Sequence, residues 1–142
     1  MKTTHETQQW DIRSVSFWMV LPIALGIIFI GAAFIISPSS NAAGYGIPMT
    51  NPDDLPYGRI KGIRDIFSGI VLLLPLFFKM RKAAALVFTA SIIIPVTDCL
   101  IILETNGPSD LQHLLLHGLT ALYMMGTSFL LFNDKHSTSL QS

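Results

Sequence analysis

From Val15 to Ile36 the chain carries no charged side chain. As a helix this run rises roughly 33 Å at about 1.5 Å per residue, enough to cross a hydrocarbon core of about 30 Å. It greatly exceeds the roughly 7–15 apolar residues of a signal-peptide core, so a retained membrane helix is expected even though Ser40 and Ala42 offer a small-x-small pattern beyond it. Trp18 stands near its start, where an amphipathic ring anchors at the headgroups. Ala24, Gly26, Gly31, Ala32 and Ala33 are small residues of the kind that let membrane helices approach closely.

The rest of the chain fits that beginning. Of 142 residues, 51% are hydrophobic and only 13% charged, with a mean hydropathy of +0.55. A soluble domain has about a quarter charged residues. Three further apolar stretches follow, so the expected fold is all-α, a four-helix transmembrane bundle with spans at about 15–36, 60–78, 83–103 and 111–132. Residues 1–14 read as a polar N-terminal tail with an interfacial turn around Trp10, and 133–142 as a polar C-terminal tail. The connection 37–58 is punctuated by Pro38, Pro48, Pro52 and Pro56, and Ser39 to Gly44 reads as a short capped turn of helix. The turn Lys79-Met80-Arg81-Lys82 is basic, and Glu104 to Asp110 is a clear turn around Gly107-Pro108.

With four spans, Lys2, Arg13, Lys79, Arg81, Lys82 and Lys135 fall on one side and only Arg59, Lys61 and Arg64 towards the other. The positive-inside rule then puts both termini in the cytoplasm of a multi-pass protein of the cell membrane. Formal net charge is zero, so nothing argues for nucleic acid as a partner. The expected partners are the bilayer, a lipophilic small molecule, and a second copy or another membrane subunit. The single cysteine, Cys99, reads as a small core residue.

This topology brings ionisable residues to one level. Arg64 and Asp65 lie about a turn inside the second span. Asp98 lies five residues before the end of the third, at a depth of roughly 7–8 Å, and His113 and His117 enter the fourth span at similar depth. Charges inside spans cost roughly 2.5–3.5 kcal/mol each at mid-helix and turn towards the bundle interior. Gly62, Asp65 and Gly69 share a small-residue stripe suited to close packing, with Arg64 and Ser68 beside it. Ser91, Pro95 and Asp98 share a face of the third span, and His113, His117 and Thr120 a face of the fourth.

The structural reading of Arg64, Asp65 and Asp98 is an ion pair tying two helices, or an Arg64 that snorkels to the headgroups. The functional reading makes Arg64, Asp65, Asp98, His113 and His117 a ligand-binding layer. His113-x-x-x-His117 has a spacing that holds metals, with Asp98 as a third donor, but lacks the flanking Glu of a metalloprotease helix. A neutral His117 hydrogen-bonded to Asp98 is the reading adopted, and no metal is expected. The same pair suits acid–base chemistry, which makes Asp98, His117 and Asp65 the catalytic candidates.

Pro38 with Ala42-Ala43-Gly44-Tyr45-Gly46-Ile47-Pro48, Gly62-Ile63-Arg64-Asp65 with Ser68-Gly69, Pro95-Val96-Thr97-Asp98, and His117-Gly118 form an ordered set over roughly Val15 to Phe132. In these motifs the chain resembles a family of small four-span integral membrane proteins of unknown function, DoxX-like in outline. The resemblance implies a four-helix membrane bundle and no reaction. The function expected is a binding or redox-accessory module for a small lipid-soluble molecule, a quinone or isoprenoid, with Arg64 on its polar head and no tightly held cofactor beyond such a quinone. The alternatives are an intramembrane isomerase or cyclase using Asp and His as acid and base, and a structural membrane subunit.

Overall fold

The computed structural model describes residues 10 and 12–133, all helix and connecting turns. What was expected of the C-terminal tail and of residues 1–9 lies outside the described residues. Helix α1 spans Val15–Ile36, α2 Pro38–Tyr45, α3 Leu55–Phe77, α4 Arg81–Ser91, α5 Ile93–Asn106 and α6 Leu111–Asn133, with a single 3-10 turn at Pro52–Asp54.

Local chemistry sets these boundaries. Ser37 precedes a proline and leaves the helical region at φ −138°, ψ 72°, which ends α1 and lets Pro38 open α2. Helix α2 runs past the expected stop at Gly44. It ends instead at Gly46, whose φ of 106° only glycine takes without strain, with the Gly46 and Ile47 amides closing on the carbonyls of Ala43 and Ala42. Asn51 caps the 3-10 turn by accepting from the Asp53 amide at 3.0 Å. Pro95 has no N–H to offer the Ser91 carbonyl. The rod 81–106 accordingly breaks at Ile92, where the amide turns back to Thr89.

Three helices are long and apolar enough to cross a membrane: α1, the rod of α4 and α5, and α6. The expected span 60–78 lies within α3, which begins at Leu55 and carries Arg59, Lys61, Arg64 and Asp65 in its first half. Apolar side chains cover the outside of the bundle, with Phe29, Ile36, Phe67, Phe77, Leu86 and Phe129 all exposed. That is the surface of an object solvated by hydrocarbon.

Helices α1 and α3 run antiparallel in backbone contact. A Cβ built on Gly31 would lie 2.5 Å from the Gly62 carbonyl oxygen, and one on Gly62 would lie 2.5 Å from that of Gly31. At Gly69 the approach continues against Ile28 and the Ala24 carbonyl. The small-residue stripe expected on the second span therefore packs against α1. On the other side α6 packs along α4 and α5, with Thr89 and Ser128 hydrogen-bonded across the contact. Tyr123 ties α6 to the Met19 carbonyl at 2.9 Å.

The two ends of the bundle differ. At the end where the chain begins, Trp10, Val20, Leu72, Leu76, Phe88, Met124 and Leu131 form a closed core. Trp10 was expected at an interface but is buried within this core, its Nε1 donating to Ser16 and its ring edge-on to Phe17. At the opposite end α5, past the break at Ile92, packs on α6 and makes no more than marginal contact with α3. The gap so opened is roofed by α2.

Candidate functional site

That gap is a cavity of about 440 Å³, within the 300–1,000 Å³ typical of small-molecule sites. Along α1 it is lined from Pro22 through Gly26 and Ile30 to Phe34, a run of about 18 Å at 1.5 Å per residue. Its deep part is mostly apolar, with Ile23, Ile27 and Met124, and the hydroxyls of Ser91 and Thr120 also line it. The other end holds Tyr45, Lys61, Asp65, Asp98 and His117. One chamber thus has an oily shaft and a polar head.

The polar head is built from four helices. Lys61 and Asp65, one turn apart on α3, form an ion pair. The Lys61 ammonium also lies 4.5 Å from the Phe34 ring centre and 4.6 Å from that of Tyr45, so two aromatic faces take up part of its charge. His117 of α6 is buried and stacks edge-on to Tyr45, ring centres 4.6 Å apart. Its Nε2 lies 3.1 Å from the Tyr45 carbonyl oxygen. A carbonyl only accepts, so Nε2 carries the proton and donates. Nδ1 is left facing Asp98 Oδ2 at 3.8 Å, longer than a hydrogen bond. Burial first, then the closeness of Asp98 and the negative charge of Asp98 and Asp65, push the Tyr45 hydroxyl far above the ordinary phenol range. Tyr45 stays a neutral donor.

Of the five residues expected in one layer, the fold brings Asp65, Asp98 and His117 to the chamber. Asp65 pairs with Lys61, not with its neighbour Arg64. Arg64 is exposed and lines a neighbouring recess between α3 and α5, which shares Tyr45, Lys61, Asp65 and Asp98 with the chamber. His113 sits elsewhere, its Nδ1 2.7 Å from Asp110 Oδ1 and its ring against Gly46 under the end of α2. The hydrogen bond from Asn106, followed by that from His113, holds the Asp110 carboxyl below its usual range. Asn106 donates as well to the Gly46 carbonyl at 2.7 Å, so this cluster clasps α2 to the α5–α6 turn. Among the described residues, no group of three His, Cys, Asp or Glu side chains is placed to hold a metal.

Sequence reading missed two members of the head. Lys61 was legible as the partner of Asp65 from its i,i+4 spacing. Tyr45 had no local signal, because only the fold-back of α2 carries it to residues 98 and 117.

A family described as a domain of unknown function, DUF4267, matches residues 24–131. The chain belongs to this family. The matched region takes in α2, both aromatic neighbours of Lys61, and every polar residue of the chamber head. Together with the three apolar helices, membership describes a membrane protein of unknown function. No curated protein and no solved structure matches the chain.

Proposed function

We propose that this DUF4267 protein binds a small lipid-soluble molecule, a quinone or isoprenoid, with its tail along α1 and its head at Lys61, Asp65, Asp98 and His117. The observation that carries this reading is the chamber itself, apolar for most of its length and polar at one end. In the same proposal the protein spans the bilayer four times, DoxX-like in outline, with both termini cytoplasmic and the chamber head towards the outer leaflet. Two features support α3 as the fourth span. Ile66 to Phe78 is uncharged and covers about 20 Å as helix, and Asp65 just above it is neutralised by Lys61. The recess beside Arg64 then faces the lipid as an entrance between α3 and α5.

The test uses Gly26, which lines the chamber and around which a Cβ meets nothing within 4 Å. Gly26→Phe puts a ring into the shaft from a position where the first added carbon meets no protein atom. Lipid extracts of protein purified in detergent are compared by mass spectrometry. The proposal expects a hydrophobic molecule at near-stoichiometric amount in the native protein, lost in a Gly26→Phe variant that still folds. Equal recovery from both proteins sinks it.

A second reading has its own observation. Asp98, His117 and Tyr45 meet at the chamber wall, as acid–base catalysis on a bound isoprenoid requires. Incubating the extracted molecule with fresh protein separates the two. Chemically unchanged recovery fits a binder, and conversion to an isomer fits an enzyme.

A further inference from the structure

Resting on the binding reading above, we infer that the ligand's head is a hydrogen-bond donor without negative charge, an alcohol, hydroquinone or amine. It is not a carboxylate, a phosphate or a carbonyl, so of a quinone pair only the reduced form fits. The basis is where the chamber's own hydrogens already go. A hydroxyl has one hydrogen to give. Ser68 gives its own to the Arg64 carbonyl at 2.9 Å, Ser91 to Val87 at 2.8 Å and Thr120 to Leu116 at 2.7 Å, each one turn back on its own helix. Only lone pairs of these three face a ligand. Asn41 spends its amide on the Ala33 and Ser37 carbonyls, at 2.9 and 2.8 Å, leaving its side-chain oxygen as an acceptor.

The head follows the same pattern. His117 donates through Nε2 to the Tyr45 carbonyl and turns Nδ1 towards Asp98. Lys61 is the one cation of the lining, and it is held by Asp65 on one side and two aromatic faces on the other. The exposed hydroxyl of Ser40 at the rim is the exception. Lys61 is paired with Asp65, and among the described residues no lysine or arginine lies within ion-pair distance of Asp98. At 3.8 Å, His117 Nδ1 and Asp98 Oδ2 are too far apart to hydrogen-bond each other, which leaves the Asp98 carboxylate oxygen open to a donor from the ligand. A carbonyl or phosphate brings further lone pairs to a wall already made of them, and such a mismatch leaves buried polar groups unpaired.

The experiment compares four molecules with one tail and different heads: farnesol, farnesylamine, farnesal and farnesyl monophosphate. Each is titrated calorimetrically into the full chain in a neutral detergent. Farnesol and farnesylamine should bind tighter than farnesal and the monophosphate by about tenfold or more, because a site built to take a donor rejects the analogue that lacks one. Asp98→Asn puts an amide donor into the head and should narrow or reverse the farnesol-to-farnesal ratio. A merely structural Asp98 would weaken all four alike. Equal or tighter binding of the monophosphate, as a protonated His117 would produce, overturns the inference, as does an unchanged ratio in folded Asp98→Asn. In either case abolition by Gly26→Phe would still show that the chamber binds. If none of the four binds, the binding reading itself fails and takes this inference with it.

Discussion

Replacing Gly31 by alanine tests the contact on which the α1–α3 half of the bundle rests. The added methyl would sit 2.5 Å from the Gly62 carbonyl oxygen and 2.9 Å from the Ile66 backbone nitrogen. Ordinary carbon–oxygen contacts begin at about 3.3 Å, so the helices must part by roughly 1 Å. Both obstacles are backbone atoms of a helix and cannot rotate away. A gap of that size forfeits a quarter to a half of each dispersion contact, at about 0.1–0.2 kcal/mol apiece. If some 40 atom pairs cross this interface, the loss is about 2 kcal/mol. Alanine's helix propensity returns up to about 1 kcal/mol, leaving Gly31→Ala destabilised by about 1–2 kcal/mol, in line with overpacked cores. Gly26→Ala has the same propensity gain and an empty surrounding, so it should be neutral or stabilised by up to about 1 kcal/mol. Gly62→Ala is the reciprocal change at the same crossing. Combined with Gly31→Ala it should cost less than the sum, since the first methyl has already parted the helices. Unfolding in detergent micelles, followed by helical circular dichroism, measures all four variants. A Gly31→Ala protein that melts with the native one, or with Gly26→Ala, would refute the close approach.

Three other changes probe the remaining parts of the fold. Trp10→Ala empties a fully buried site and should cost about 3 kcal/mol; unchanged melting would return Trp10 to a loose tail. Lys61→Met leaves Asp65 unpaired and should cost about 1–2 kcal/mol, below the ~3–5 of a fully buried pair because both side chains keep some access to solvent. Adding Asp65→Asn should restore much of that, whereas Arg64→Ala on the exposed side should stay within about 0.5 kcal/mol. Equal losses for Lys61→Met and Arg64→Ala would contradict the pairing. For the clasp, the folded Asp110 carboxyl titrates below its unfolded value of about 3.9. Its contribution is therefore present above that value and lost as pH falls through the folded one. The melting difference between native protein and Asp110→Asn should shrink as pH drops from about 6 to 3, and a constant difference would sink the clasp.

Much of the architecture was open to sequence reading because its causes are local. A charge-free run as long as Val15–Ile36 needs only its own length to declare a membrane-capable helix, and Pro95 marks by its missing N–H the carbonyl that will lose its partner. The stop of α2 lay two residues from where the glycine pattern suggested, since two glycines were available and only folding chose which took the left-handed turn. The site was partly open for the same reason. Asp65, Asp98 and His117 stand out because ionisable groups in apolar helices are expensive wherever they point.

What the sequence alone determined about this protein, then, is an all-helical, hydrocarbon-facing chain whose costly polar residues gather towards one end. Only the tertiary structure decided which of them meet. Arg64 and Lys61 differ by three positions on one helix, yet the turn of that helix against α1 sends Lys61 between Phe34 and Tyr45 and leaves Arg64 outside. His113 and His117 share a helical face by spacing, but α2 folds over that face and divides them, giving His113 to the Asp110 clasp and His117 to the chamber. Spacing fixes direction about a helix axis, and the choice among neighbours in that direction belongs to contacts between residues dozens of positions apart.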